Sequence, residues 1–157
     1  MAVPSIALAY RRTALMKATT VSVKPPSEEV LRARDSFIDF CTAMGKPPAK
    51  HMMEWHNELC TGVDSECLLG IGGPNTAILA PRGSAKSTVL GLFAAWMIGR
   101  HTAAGQMLRI LYIAYMVDIS RAKSATIKGI LVSSKYREIF PMVRLSKIKR
   151  SDEYWSI

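Results

Sequence analysis

The stretch APRGSAKST, residues 80–88, constrains this chain more than any other. It follows a short apolar run, TAILA (76–80), and opens a long apolar segment, KSTVLGLFAAWMIGR (86–100). A short apolar run bounded by a turn suits a buried parallel strand. A segment apolar on nearly every side suits a helix packed inside a layered domain. Strand, small-residue loop and helix, with a lysine at the helix start, is the arrangement of a phosphate-binding loop, G-x-x-x-x-G-K-[ST]. Here Ala80 and Ala85 stand at both glycine positions.

Such a loop works because consecutive backbone N–H groups point inward at a helix N-terminus, where the helix dipole also favours anions. Pro81, Arg82, Gly83, Ser84, Ala85, Lys86, Ser87 and Thr88 would form the cradle. Lys86 is spaced to reach the β- and γ-phosphates of ATP, and the Ser87 hydroxyl to bind Mg²⁺. Glycine is required only where φ is positive or where a Cβ would strike the phosphate. Ala80 ends the strand, so its substitution is mild. Ala85 is the more serious departure, and Gly83, two positions earlier, offers another place for the strained conformation. Taken from the residues, a nucleotide cradle and a fortuitous strand-to-helix turn are both open.

Further along, RILYIAY (109–115) reads as a second strand from its β-branched and aromatic content. ISRAKSATIKGILVSS (119–134) predicts an amphipathic helix with Ile119, Ala122, Ile127, Ile130 and Leu131 inward, and KYREIFP adds a short helical turn that stops at Pro141. Strand, loop, helix, strand, helix is the opening of a parallel sheet. Upstream, Ser27-Glu28-Glu29 is a helix N-cap with acid in the first turn. Leu31, Phe37, Ile38, Cys41 and Met44 follow at helical spacing, and Gly45 before Pro47-Pro48 closes that element. KHMMEWHNELC (50–60) predicts another helix, with Met52, Trp55, His56 and Leu59 along one side and Gly62 at its end; GIGGPN (70–75) is a loop. The expected class is α/β: the first part of a P-loop parallel sheet with flanking helices, preceded by two helices and a basic N-terminal arm. The expected divisions are a disordered arm at 1–27, a helical segment at 28–62 and the sheet-bearing part at 63–157.

A net charge of +9 on 157 residues points to a polyanionic partner. Residues 1–27 carry Arg11, Arg12, Lys17 and Lys24 and no acid. That is the composition of an organelle transit peptide or of a plain basic arm, and Met16 is an alternative start. A second basic cluster is Arg144, Lys147, Lys149 and Arg150. Cys41, Cys60 and Cys67 are too few for a disulfide framework and read as reduced thiols in a cytoplasmic setting. His56 and Cys60 share a helix face but lack the CxxC or HxxxH partner of a zinc site. No apolar run reaches the roughly 18–20 residues of a membrane span, so no membrane partner is expected.

ILAPRGSAKSTV, RILYIAYMVDISRAKS and SSKYREIFP, in that order and spacing, resemble the large terminase subunit of tailed bacteriophages, over residues 50–157. The resemblance implies a P-loop ATPase fold, ATP and Mg²⁺ as cofactors, and a place in the motor that packages viral DNA into capsids. It implies catalytic roles for Lys86 and Arg82, with Arg82 near the γ-phosphate, where positive charge stabilises phosphoryl transfer; the plain alternative is a solvated arginine. It puts HMMEWHNELC where the family contacts adenine, with Trp55 or His56 as a stacking face, although helix packing is the simpler reading. The implied partners are double-stranded DNA, the remainder of the large subunit, the small terminase subunit and the portal, in a ring oligomer. The implied location is the bacterial host cytoplasm, at the procapsid.

The family's acidic Mg²⁺ motif, its neighbouring glutamate and its nuclease domain have no counterpart here. Asp118 follows an apolar run but has Ile119 beside it, and the resemblance puts it before the Mg²⁺-binding strand. No apolar strand precedes Asp152 and Glu153. The expectation is therefore an N-terminal portion that binds Mg·ATP without turning it over. Two rivals stand beside it: a non-enzymatic remnant or interaction module whose basic ends bind nucleic acid, and a different P-loop enzyme such as a helicase.

Overall fold

The structure, a computed structural model, describes residues 25–61, 77–146, 151 and 155–157. These form six α-helices: α1 (Glu28–Asp35), α2 (Phe37–Ala43), α3 (Met53–Thr61), α4 (Lys86–Ala103), α5 (Val117–Val132) and α6 (Ser134–Ile139). A 3-10 turn, Lys50–Met52, leads into α3.

Local chemistry explains most of the boundaries. Ser27 Oγ accepts from Val30 N at 3.4 Å, and Glu28 and Glu29 occupy the first turn of α1. The single helix expected over 28–44 is in fact two. Ser36 is extended (φ −114°, ψ 124°), its N–H donates to Arg32 O, and its Oγ accepts from Asp39 N at 3.3 Å. One serine thus stops α1 and starts α2, because a short hydroxyl side chain competes for backbone donors. Gly45 closes α2 with φ +70°, a left-handed angle that favours glycine. Ser133 Oγ caps α6 by accepting from Tyr136 N, and the helix ends ahead of Pro141.

The core lies around α4. Val89, Leu92, Ala95, Trp96 and Gly99 form its buried stripe, facing Ala33, Phe37, Phe40 and Cys41 of α1–α2 and Ile127, Leu131, Tyr136 and Ile139 of α5–α6. Trp96 Nε1 donates to Ala33 O at 3.2 Å, and Tyr136 Oη donates to Ala95 O at 2.8 Å. Both aromatic residues therefore bury a large apolar body while their polar tips find acceptors. Arg34 Nε donates to Ile139 O at 2.6 Å, so a cation from α1 satisfies a carbonyl at the end of α6. Of the five residues expected inward on α5, Ile127 and Leu131 are buried, Ile119 and Ile130 half-buried, and Ala122 exposed.

The α/β expectation is overturned. Among the described residues there is no β-strand, only an isolated bridge residue at Trp155. Ala77–Ala80 of the TAILA run lack regular structure, with Leu79 94% exposed, and RILYIAY runs without a partner strand. β-Propensity reports fitness for a half-buried pleated surface and not an intrinsic preference. A strand exists only when a neighbour takes up its backbone hydrogen bonds, and neither run has one among the described residues. The parallel sheet required by a P-loop ATPase is not what these residues build. Residues 1–24 of the expected arm, Gly62 and the expected loop at 70–75 lie outside the described residues.

Candidate nucleic-acid interface

The loop predicted as a nucleotide cradle is a tight turn ahead of α4. Ser84 Oγ donates to Pro81 O at 2.7 Å, Gly83 has φ +83°, and Ala85 is left-handed at φ 59°, ψ 16°. Gly83 does not relieve Ala85 of the strained conformation; both adopt it. A left-handed angle costs an alanine roughly 1–2 kcal/mol. Lys86 turns its ammonium back over the turn and donates to the carbonyls of Ala80 and Pro81, the latter at 3.0 Å. Arg82, Ser87 and Thr88 are exposed. The eight sequence-predicted residues are thus contiguous at one helix start, but among the described residues no sheet stands behind them.

This corrects the expected chemistry. Without the sheet, the phosphate-loop scaffold is absent, and with it the basis for ATP as cofactor and for ATPase activity. Mg²⁺ fares no better: among the described residues, no group of three or more His, Cys, Asp or Glu could hold a metal ion. Asp118 sits in the first turn of α5, 3.7 Å from Arg121, where an acid complements the helix dipole. Asp152 and Glu153 lie outside the described residues. A cleft between α1, α4 and α6, lined by Arg34, Gly99, Ala103 and residues 139–142, encloses about 120 Å³. Small-molecule sites typically need about 300–1,000 Å³.

His56 is a core residue. It is buried, stacked on Phe37 with ring centroids 4.8 Å apart. Its Nδ1 lies 2.8 Å from Met52 O, and because a carbonyl only accepts, Nδ1 carries the proton. Nε2 is then the acceptor, 3.6 Å from Cys41 Sγ, which donates its S–H. Burial pushes the Cys41 thiol up to about 12, with Cys60 nearby adding to the rise. Cys41 is thus a protonated thiol beside the His56 ring, unlike a nucleophilic thiolate site. Trp55 is half-buried, edge-on to His51 at 5.9 Å. His101, which sequence reading passed over, is 1% exposed, and neither ring nitrogen has a hydrogen-bond partner. Its signal in the sequence was a histidine at the end of an apolar helix.

The charge distribution is the strongest functional feature. From Cys67 to Ser151 the only carboxylates are Asp118 and Glu138, among Arg82, Lys86, Arg100, Arg109 and nine further Lys or Arg. Both acids are paired: Asp118 with Arg121, and Glu138 with Lys135 at 3.6 Å. By contrast α1–α3 carry Glu28, Glu29, Asp35, Asp39, Glu54 and Glu58. Arg82, Arg109, Arg121, Arg137 and Arg144 are exposed, whereas Arg100 lies over the Trp96 ring at 4.6 Å. On α5, Arg121, Ser124 and Lys128 form one stripe at i, i+3 and i+7 spacing. Trp155 Nε1 donates to Ser124 Oγ at 2.7 Å and Lys128 Nζ to Ser151 O at 3.0 Å. Ser146 N also donates to Ser156 O at 2.9 Å. Lys147, Lys149 and Arg150 lie outside the described residues.

Comparison with protein-family models, curated proteins and solved structures finds no match. The likeness to the terminase large subunit therefore gains no support, and the all-helical architecture of the described residues overturns it.

Proposed function

We propose that this chain is a non-enzymatic interaction module that binds nucleic acid, duplex DNA first among its forms, through its basic half. The observation that carries this reading is the segregation of charge: α1–α3 carry six acids, while from α4 onward twelve Lys or Arg stand against four acids, Asp118, Glu138, Asp152 and Glu153. Two of those acids, Asp118 and Glu138, are already engaged by Arg121 and Lys135. A surface of this kind attracts a polyanion by releasing condensed counterions, without reading its sequence. The bland alternative is a solvated basic face, and salt dependence separates the two.

The experiment is fluorescence anisotropy of a labelled duplex titrated with the protein over a range of salt concentrations. The logarithm of the binding constant should fall linearly with that of salt, with a slope of about −0.9 per phosphate neutralised. Arg137→Glu and Arg144→Glu should each weaken binding and flatten the slope by about 1. Lys46→Glu and Lys50→Glu make the same change in net charge on the acidic half and should do less. Equal loss from all four substitutions, or affinity indifferent to salt, would overturn the proposal.

A further inference from the structure

Ser151 and residues 155–157 return to α5. Lys128 Nζ donates to Ser151 O at 3.0 Å, and Trp155 Nε1 donates to Ser124 Oγ at 2.7 Å. Ser124 and Lys128 are one helical turn apart, about 6 Å along the axis, so the two contacts follow α5 in reverse order. Trp155 is half-buried and packs against the core, and Ser146 N donates to Ser156 O at 2.9 Å. Segment 151–157 is thus tied down at Ser151, Trp155 and Ser156. The face it meets is the Arg121, Ser124 and Lys128 stripe, part of the basic half of the molecule. Between the first two ties the sequence carries Asp152 and Glu153, the only acids after Glu138.

We propose that segment 151–157 is an autoinhibitory strap: it holds Lys128 on the α5 stripe, and nucleic acid engages that stripe only by displacing it. The inference rests on the nucleic-acid reading given above and adds a regulated step to it. Three features favour a competitor over a purely structural clasp. The Lys128 contact sets an ammonium on a neutral carbonyl at an exposed position, a weaker partner than a phosphate oxygen. Asp152 and Glu153 give the segment the charge sign of the ligand that the rest of this half attracts. Its hold is also light, since its indole is only half-buried, whereas Trp96 and Tyr136 are buried and anchored to backbone carbonyls. Elements with few buried apolar contacts open at a free energy well below that of global unfolding. Because the strap belongs to the same chain, it competes at a high effective concentration. Even a weak contact then lowers affinity for a free duplex.

The test is duplex binding by the full chain carrying Trp155→Ala, a change that leaves net charge untouched. Loss of the indole should release Lys128, tighten binding roughly three- to ten-fold at low salt and steepen the salt slope by about 0.9, one further phosphate neutralised. In a Lys128→Ala background the same substitution should bring a smaller gain. Far-ultraviolet circular dichroism checks that the helices remain. Amide exchange of the parent chain supplies a reading that needs no variant, and it decides the matter should Trp155→Ala unfold. Saturating duplex should speed exchange at the Ser146 N–H, whose acceptor is Ser156 O. Binding by the parent that Trp155→Ala leaves equal or weakens, with the helices intact, overturns the strap and leaves the nucleic-acid reading standing. Ser146 protection unchanged by bound duplex does the same. Failure of both the parent and the folded variant to bind duplex at any salt overturns both.

Discussion

Gly99 of α4 lies directly against the Phe140 ring: a Cβ built on it would stand 2.5 Å from ring atoms Cε2 and Cγ. No real side chain tolerates that approach, and Phe140 is itself buried in the core, so the ring cannot swing out to solvent. Gly99→Ala should destabilise the fold by about 1–3 kcal/mol through overpacking. Gly91, on the same helix, has only Ile127 Cγ1 near its would-be Cβ, at 3.8 Å. Gly91→Ala should therefore stabilise by about 0.4–1 kcal/mol, through a less flexible unfolded chain. Urea unfolding of the pair checks both signs at once.

His101 makes stability fall in mild acid. Burial, and then the neighbouring Arg100, hold its pKa below the ordinary 6.5. The folded state thus disfavours the proton, and the unfolded chain binds it first. Stability from this residue is complete above pH 6.5 and is lost as pH falls through that value toward the lowered one. Unfolding free energies measured between about pH 7.5 and 5.5 should decline in the parent chain and decline less in His101→Leu. Parallel profiles would show that His101 is not the titrating group.

Cys41 should be inert in the native state. Its thiol is pushed up to about 12 and its S–H is directed to His56. Alkylation followed by mass mapping should find Cys41 unmodified until the chain unfolds. A raised pKa contributes stability that is intact below the ordinary 9.0 and is lost as pH climbs from there through about 12. Cys41→Ala strands His56 Nε2 without a donor and should cost about 1–3 kcal/mol. Cys41→Ser restores a donor and should cost less.

Lys86 holds its loop in place. Its ammonium donates to the Ala80 and Pro81 carbonyls, so Lys86→Ala should lower stability by about 0.5–1.5 kcal/mol. Thermal unfolding should be unmoved by Mg·ATP in both the parent chain and the variant, and phosphate release from ATP should stay at background. A rise in melting temperature with Mg·ATP that the variant loses would restore a nucleotide site.

Much of the helical content was legible in the sequence. Ser27 before two glutamates, the apolar segment after Lys86 and the stop at Pro141 act within a turn or two of themselves, and the structure has helices where they announce them. The basic excess was legible too, since charge is a count. The break at Ser36 went unseen because a serine inside an amphipathic pattern is compatible with one helix or two. RILYIAY was read as a strand, and it is not one in the structure. β-Branched and aromatic content is a property of the run itself, but a strand requires hydrogen bonds from another segment. Similarly, nothing local distinguishes His56, given partners by Met52 and by Cys41 of a different helix, from His101, given none. Nor does any neighbour in sequence reveal that Gly99 must stay bare for Phe140. Caps, turns and propensities are short-range and could be read from the chain alone. Strand pairing, buried hydrogen bonds and close packing join residues far apart in sequence, so only the folded arrangement could decide them.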